Sequence, residues 1–325
     1  MACSMQKSFA IVLRVFDGEA PYLQSFIDHH RSIGIDCFYV LLSPGESPLC
    51  REILEKNKIS FFDVQGQRVE RIWRQVKEDY VSVLDADEYL HPEVIRFASE
   101  EEFRSLQMPW RMTATLDDNG FTDAEKHFFV FPQVKSMMRT KSLTSMSLHL
   151  SGTKGDGDRL GLDVGLRFPL NHYYLRGLDD LLLKEGGVVA LTGATTVGRT
   201  PVSLEGDVQA DFPQFPSRHA KAAFVLKMLE VCPEVNDPYH LKIDPEMLAR
   251  VLGTAQFDLR EAKDRLRQSI ESIVDVFSDK TIKRQHRNIE RIFSDNPRRV
   301  NFQKKVIKAL QKDYSKRNKG MGSES

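Results

Sequence analysis

Two aspartates one residue apart, at the end of an apolar run, are the sharpest chemical signal in the chain. They lie in Val83-Leu84-Asp85-Ala86-Asp87-Glu88-Tyr89-Leu90. Side chains at i and i+2 of an extended chain point the same way, so Asp85 and Asp87 are expected to share one hard divalent cation. Such an ion is seldom caged by protein alone, and this pattern implies a substrate that brings phosphate oxygens. The bland alternative is a strand-to-turn junction before a helix that starts near His91-Pro92-Glu93. Asn171-His172-Tyr173-Tyr174 is the second signal. Imidazole suits a transition metal such as Mn²⁺ as a third ligand and suits Ca²⁺ poorly. A histidine beside tyrosines is also an ordinary core residue.

The elements that must position these groups follow from hydrophobic patterning. Phe9 to Leu13, Cys37 to Leu42, Ile59 to Phe62 and Tyr80 to Leu84 are continuous apolar runs, the mark of strands buried on both faces. Between them, Leu23, Phe26, Ile27, His30 and Ile33 recur at helical spacing before Gly34, and Arg51–Asn57 and Val69–Lys77 also read as helices. Strand–helix alternation at this spacing predicts right-handed βαβ units and a mostly parallel sheet, whose carboxyl edge is where ligands bind. The aspartates fall at that edge of the fourth strand. From about residue 105 to 175 the segments shorten: Met112–Leu116, Phe128–Phe131, Ser136–Arg139 and Ser145–Leu150 read as strands. Gly152 to Asp158 is the most flexible-looking stretch. Residues 188–217 read as a linker or crossover, and residues 218–325 as a helical region with a basic tail.

The 325 residues, 41% hydrophobic and 28% charged, suit one large domain or two moderate ones. Lys plus Arg equals Asp plus Glu at 46 each, which gives no overall charge to favour nucleic acid. The apolar run Phe9–Phe16 contains Arg14 and is too short for a signal peptide or a membrane span. Four scattered cysteines without a C-x-x-C pair fit a reduced, cytoplasmic protein.

Four segments, in order, resemble glycosyltransferase family 92 and related family 2-like proteins of GT-A fold. Glu19 to Tyr39 is similar to the family's opening N-E-x-x-Y-L-x-E-W-I-x-x-H-x-x-x-G-[IV]-x-x-F-[YI]. Leu84 to Leu90 matches L-D-x-D-E-F-[LI], and Val134 to Arg139 looks like V-K-S-I-[VI]-R, with His149 near the histidine that follows it. Asn171 to Lys184 is similar to N-H-Y-x-T-[KR]-S-x-E-E-F-x-x-K, with Asp179-Asp180 at the acidic pair. The resemblance implies a GT-A-like (Rossmann-like) α/β domain over residues 1–187, with helices flanking a mostly parallel sheet. It also implies a nucleotide-sugar donor, a glycan or other hydroxyl acceptor, and Mn²⁺ or Mg²⁺ on Asp85, Asp87 and His172, with Asp85 facing the ribose or the metal. Asp17 and Glu19 fall at donor-contact positions, with Asp17-Gly18 where the family has K-N. Gln75, in Trp73-Arg74-Gln75, falls where GT-A proteins often place a nucleotide contact. Arg111 to Gly120 lacks the family's F-G-S-S-G loop.

Expelling a nucleoside diphosphate calls for charge neutralisation, and an inverting displacement calls for a carboxylate to take the acceptor's proton. Asp117, Asp118, Asp156 and Asp158 are candidate bases, although Asp-Asp-Asn-Gly and Gly-Asp-Gly-Asp are also ordinary turn chemistry. Lys135 and Arg139 are candidates for the diphosphate, with at least one expected to be a solvent-facing strand cation. Trp110 reads as a core residue, with sugar stacking as the alternative. Lys280–Lys319 holds 14 basic against 3 acidic residues, a net of +11. A solvated helical tail is the favoured reading, and docking on an anionic membrane surface or glycan is the functional one. The helical region is expected to shape the acceptor side or support a homo-oligomer. Two rival readings are a non-catalytic nucleotide-sugar-binding module and a phosphatase of the haloacid-dehalogenase type. In the latter the D-x-D lies on the first strand, whereas here it follows the fourth.

Overall fold

A computed structural model of the chain describes residues 7–42, 47–63, 72–115, 129–147, 151–176 and 244–254. The strands are β1 (Phe9–Val15), β2 (Cys37–Leu42), β3 (Phe61–Asp63), β4 (Tyr80–Leu84), β5 (Glu88–Tyr89), β6 (Phe103–Thr115), β7 (Phe129–Arg139), β8 (Leu143–Ser145), β9 (Gly152–Thr153), β10 (Asp158–Leu160) and β11 (Leu170–Arg176). The helices are α1 (Ala20–Ser32), α2 (Pro48–Lys56), α3 (Pro92–Glu100), the single turn α4 (Leu162–Gly165) and α5 (Pro245–Thr254).

Apolar runs without polar alternation are found in the middle of this sheet, as burial on both faces requires. Among the described residues it has nine strands in the order β3-β2-β1-β4-β7-β6-β11-β5, with β10 beside β6. The strands β3, β2, β1 and β4 are parallel; β7 runs against both β4 and β6, and β5 against β11. The result is a mixed α/β, mostly parallel, Rossmann-like sheet. On one face Leu13, Leu23, Phe26, Ile27, Tyr89 and Val94 bind helices and sheet into the larger core, which Met247 and Val251 of α5 join. The opposite face holds a smaller cluster around Val12, Val81, Val83, Ile72 and Met138.

Several sequence expectations change. The described part of the strand read at Met112–Leu116 is the end of a much longer β6, Phe103–Thr115, and the described parts of the two pieces read at Phe128–Phe131 and Ser136–Arg139 are one strand, β7. The β6–β7 register shifts between Pro109 and Trp110. A proline lacks an N–H for the ladder and is tolerated at such a bulge, which is why the sequence pattern looked broken there. Of the helix read at Val69–Lys77, the described part is helical at Ile72 and then tightens into a 3-10 turn, Trp73–Gln75. The third strand starts at Phe61, because Lys58 takes a positive φ of 56° and Ile59 closes the end of α2 by donating to Leu54. Residues 177–243 and 255–325, with Asp117, Asp118, His149, Asp179, Asp180, Lys184, the 187/188 and 217/218 boundaries and the basic tail, lie outside the described residues. Among the described residues, no helix is long and apolar enough to cross a membrane.

Candidate functional site

The parallel strands β1 and β4 end side by side, with Leu13 level with Leu84, so the segments that follow both open at one edge. After Leu84 the chain does not stay extended. Glu88 N–H donates to the Asp85 carbonyl at 3.0 Å, closing a four-residue turn that feeds β5. The two aspartates therefore do not share a pleat, which corrects the expectation drawn from extended geometry. Their environments diverge: the Asp85 side chain is 40% exposed, whereas Asp87 is buried.

β11 reaches this turn from far along the chain. Asn171 pairs with Tyr89 and His172 with Glu88, and Tyr173 N–H donates to the Asp87 carbonyl at 2.9 Å. This register brings His172 Nε2 to 3.5 Å from Asp87 Oδ2. Trp110, 4% exposed, meets the imidazole edge-on at 4.2 Å between ring centres, and Tyr174 does so at 5.7 Å. Trp110 is thus a core residue that backs His172 and is not open for sugar stacking.

Donors that share a small dication through bonds of about 2.1 Å stand roughly 3 to 3.5 Å apart. The Asp87–His172 separation fits that requirement. Among the described residues no set of three His, Cys, Asp or Glu side chains has ligand spacing. An ion here would take two protein donors and complete its shell with substrate oxygens and water, the habit of Mg²⁺ and its relatives. Asp85 is engaged otherwise: its Oδ2 lies 3.0 Å from Lys135 Nζ.

Sequence reasoning passed over Glu88, whose carboxylate is wholly buried and receives Lys135 Nζ at 3.1 Å and the Asp85 backbone N–H at 2.8 Å. Burial pushes the Glu88 carboxyl well above its ordinary range, and the nearby Asp85 and Asp87 charges add to that, against the pull of Lys135. The signal available was an acid three places after Asp85 and a lone lysine inside the strand Val134–Arg139.

The other expected donor contacts have partners of their own. Asp17 follows β1 at the right edge, but its carboxylate accepts from the N–H groups of Leu49 and Cys50 at 3.1 and 3.0 Å. It caps the first turn of α2, whose amides have no intrahelical acceptor, instead of facing a donor. Burial raises its carboxyl above the usual value. Glu19, half-buried, folds back to accept from Phe16 N–H at 3.3 Å. Gln75 is exposed, and its carbonyl accepts from the Tyr39 hydroxyl.

Arg139, Asp156 and Asp158 lie at the opposite edge of the sheet. Arg139 is level with Tyr80, at the start of β4, and pairs with Glu102 at 2.8 Å. Asp158 is level with Phe103, the first residue of β6. From Phe103 to Met108, which faces Lys135, is five residues, about 17 Å of extended chain. Arg104 donates to the Gly155 carbonyl, and Gly157, at φ 99°, sits against the Phe103–Arg104 backbone, so the Gly-Asp-Gly-Asp loop packs at that end. These positions correct the expectation that Asp156 or Asp158 is a base and that Arg139 meets a diphosphate.

No family model matches the chain, and no curated protein matches it in sequence. Solved structures with a similar fold include S. aureus TarS residues 1–349 in complex with UDP-GlcNAc, at 10% identity and TM-score 0.34, covering 96% of this chain and 92% of that one. Another is M. tuberculosis glucosyl-3-phosphoglycerate synthase with Mn²⁺, UDP-glucose and phosphoglyceric acid, at 14% identity and TM-score 0.28, covering 42% and 58%. HddC from Yersinia pseudotuberculosis is similar at 8% identity and TM-score 0.30, covering 47% and 89%. These superpositions are loose, and the site's chemistry is read from its own residues.

Proposed function

We propose that the chain is a nucleotide-sugar-dependent glycosyltransferase that moves a sugar to a glycan or other hydroxyl acceptor with inversion. The observation that carries this reading is the 3.5 Å approach of His172 to Asp87 at the carboxyl edge of a parallel sheet. Asp87 and His172 would hold Mn²⁺ or Mg²⁺ there. A bound dication neutralises the charge that develops on a departing nucleoside diphosphate. Asp85, the more exposed carboxylate of the pair, faces the donor side, and Glu19 and Gln75 are the proposed further donor contacts.

The acceptor hydroxyl attacks the anomeric carbon from the face opposite the leaving diphosphate, forming one glycosidic bond as the other breaks. Its proton passes to a carboxylate. With Asp156 and Asp158 at the far edge, Asp117 and Asp118 are the candidates retained for this role; β6 leaves the described residues at Thr115, which is paired with Arg176 of β11.

The test is thermal shift with a panel of nucleoside diphosphates and their sugars, with and without Mn²⁺, followed by donor hydrolysis and transfer. Metal-dependent stabilisation in the wild type and its loss in Asp87→Ala are expected. Equal responses from both proteins would overturn the reading, and binding without transfer to any acceptor would mark a non-catalytic module.

A further inference from the structure

Lys135 stands in β7 with none of its surface exposed. Its ammonium reaches Asp85 Oδ2 at 3.0 Å and Glu88 Oε2 at 3.1 Å, so it spans the first and last residues of the 85–88 turn. The same Glu88 oxygen accepts the Asp85 backbone N–H, and the Glu88 N–H returns to the Asp85 carbonyl. Side chain and backbone thus close one small ring, and Asp87 is held inside it. On the outer side, Tyr173 N–H fixes the Asp87 carbonyl and brings His172 to its carboxylate.

We infer that Lys135 is a positioning residue: it clamps the 85–88 turn in the shape that presents Asp87 to His172, and it does not touch the donor. To reach a diphosphate, the ammonium would have to abandon Glu88, a carboxylate with no exposed surface, and leave it buried and unpaired. Losing one partner of a buried ion pair is far more costly than removing both. Burial works against the ammonium's charge, but Asp85 and then Glu88 outweigh it and hold Lys135 protonated above its ordinary range. The sequence expectation of a diphosphate contact at Lys135 is thereby replaced. The clamp is a matter of folding and geometry; its value for catalysis rests on the function proposed above.

A mutant cycle reads the clamp without turnover. Lys135→Met should lower the midpoint of thermal unfolding by about 5 °C or more, since it strands Glu88. The double variant Glu88→Gln/Lys135→Met should recover more than half of that loss. Additive losses in the two single variants and the double would overturn the clamp, and the double variant keeps the test open if Lys135→Met does not fold. A second readout is the affinity of uridine, guanosine and cytidine diphosphates measured without metal. A positioning role leaves it within about twofold of wild type in the double variant; a fall of tenfold or more for a diphosphate that wild type binds would mean that Lys135 contacts the phosphates, and would overturn the inference. If wild type shows no Mn²⁺-enhanced binding of any of the three, the proposed function fails, while the stability cycle still decides the clamp.

Discussion

Asp87 is fixed at both ends, its carbonyl by the Tyr173 N–H and its carboxylate by the edge of His172, while Trp110 packs edge-on against the imidazole. A ligand held this firmly loses little freedom on binding a cation, and misplacing it removes most of its worth. His172→Ala should therefore weaken Mn²⁺-supported nucleoside diphosphate binding about 10- to 100-fold, while metal-free binding changes little. Isothermal titration with and without Mn²⁺ checks this; parallel losses in both conditions would assign His172 to packing. The same scale shows where the sequence was legible. Asp85, Asp87 and His172 stood out by residue type. Glu88 did not, and Lys135 stood out only as a diphosphate contact, because what marks the pair is their burial together, and burial is a property of β7 lying between β4 and β6.

At the scale of elements, the site depends on how the helices and strands are stopped and seated. Asp17 ties the end of β1 to the start of α2 through two backbone N–H groups. Asp17→Ala is expected to cost about 1 kcal/mol of stability by urea unfolding, the usual worth of a lost N-terminal cap. If nucleoside diphosphate affinity fell tenfold in that variant, the carboxylate would have to be returned to the donor site. α4 packs just as closely on β6: a Cβ added at Gly165 would land on the Gln107 carbonyl, which is backbone and cannot swing aside. Gly165→Ala should destabilise by about 3 kcal/mol, as overpacking does. Wild-type stability in that variant would mean that α4 moves freely on the sheet. The contact is invisible in the sequence, where nothing shows that residues 107 and 165 meet.

Across the whole molecule, His30 links α1 to the residue after β5. It lies fully buried, with Nδ1 2.8 Å from the Phe26 carbonyl and Nε2 3.3 Å from the Leu90 N–H, so the ring is neutral with its proton on Nδ1. Burial, then the neighbouring His29, holds its pKa well below the ordinary value. In the unfolded chain the same imidazole protonates near pH 6.5. The stability it contributes is complete above that pH and is lost as the pH falls from there toward the depressed folded value, because only the unfolded state takes up the proton. His30→Gln should flatten the fall in urea midpoint between pH 7 and 5, by up to about 1.4 kcal/mol per pH unit; an unchanged slope would place the titration elsewhere. Ligand linkage acts at the same scale. A nucleoside diphosphate with Mn²⁺ at a hundred times its dissociation constant should add about 2.7 kcal/mol to the wild-type stability.

Patterning along the chain was enough to give the α/β class, the parallel run through β4 and the placing of Asp85 and Asp87 at its carboxyl edge. Uninterrupted apolar strands and helical spacing are local signals, and the right-handed crossover leaves them few arrangements. What the chain order could not supply was adjacency between distant segments. Only the β5–β11 register, joining residues 88–89 to 171–172, set an imidazole beside Asp87, and only the direction of β6 and β7 sent Arg139, Asp156 and Asp158 to the far edge. Hydrogen-bonded pairing between strands is blind to separation in sequence, and so the groups that meet at this edge are chosen by the sheet.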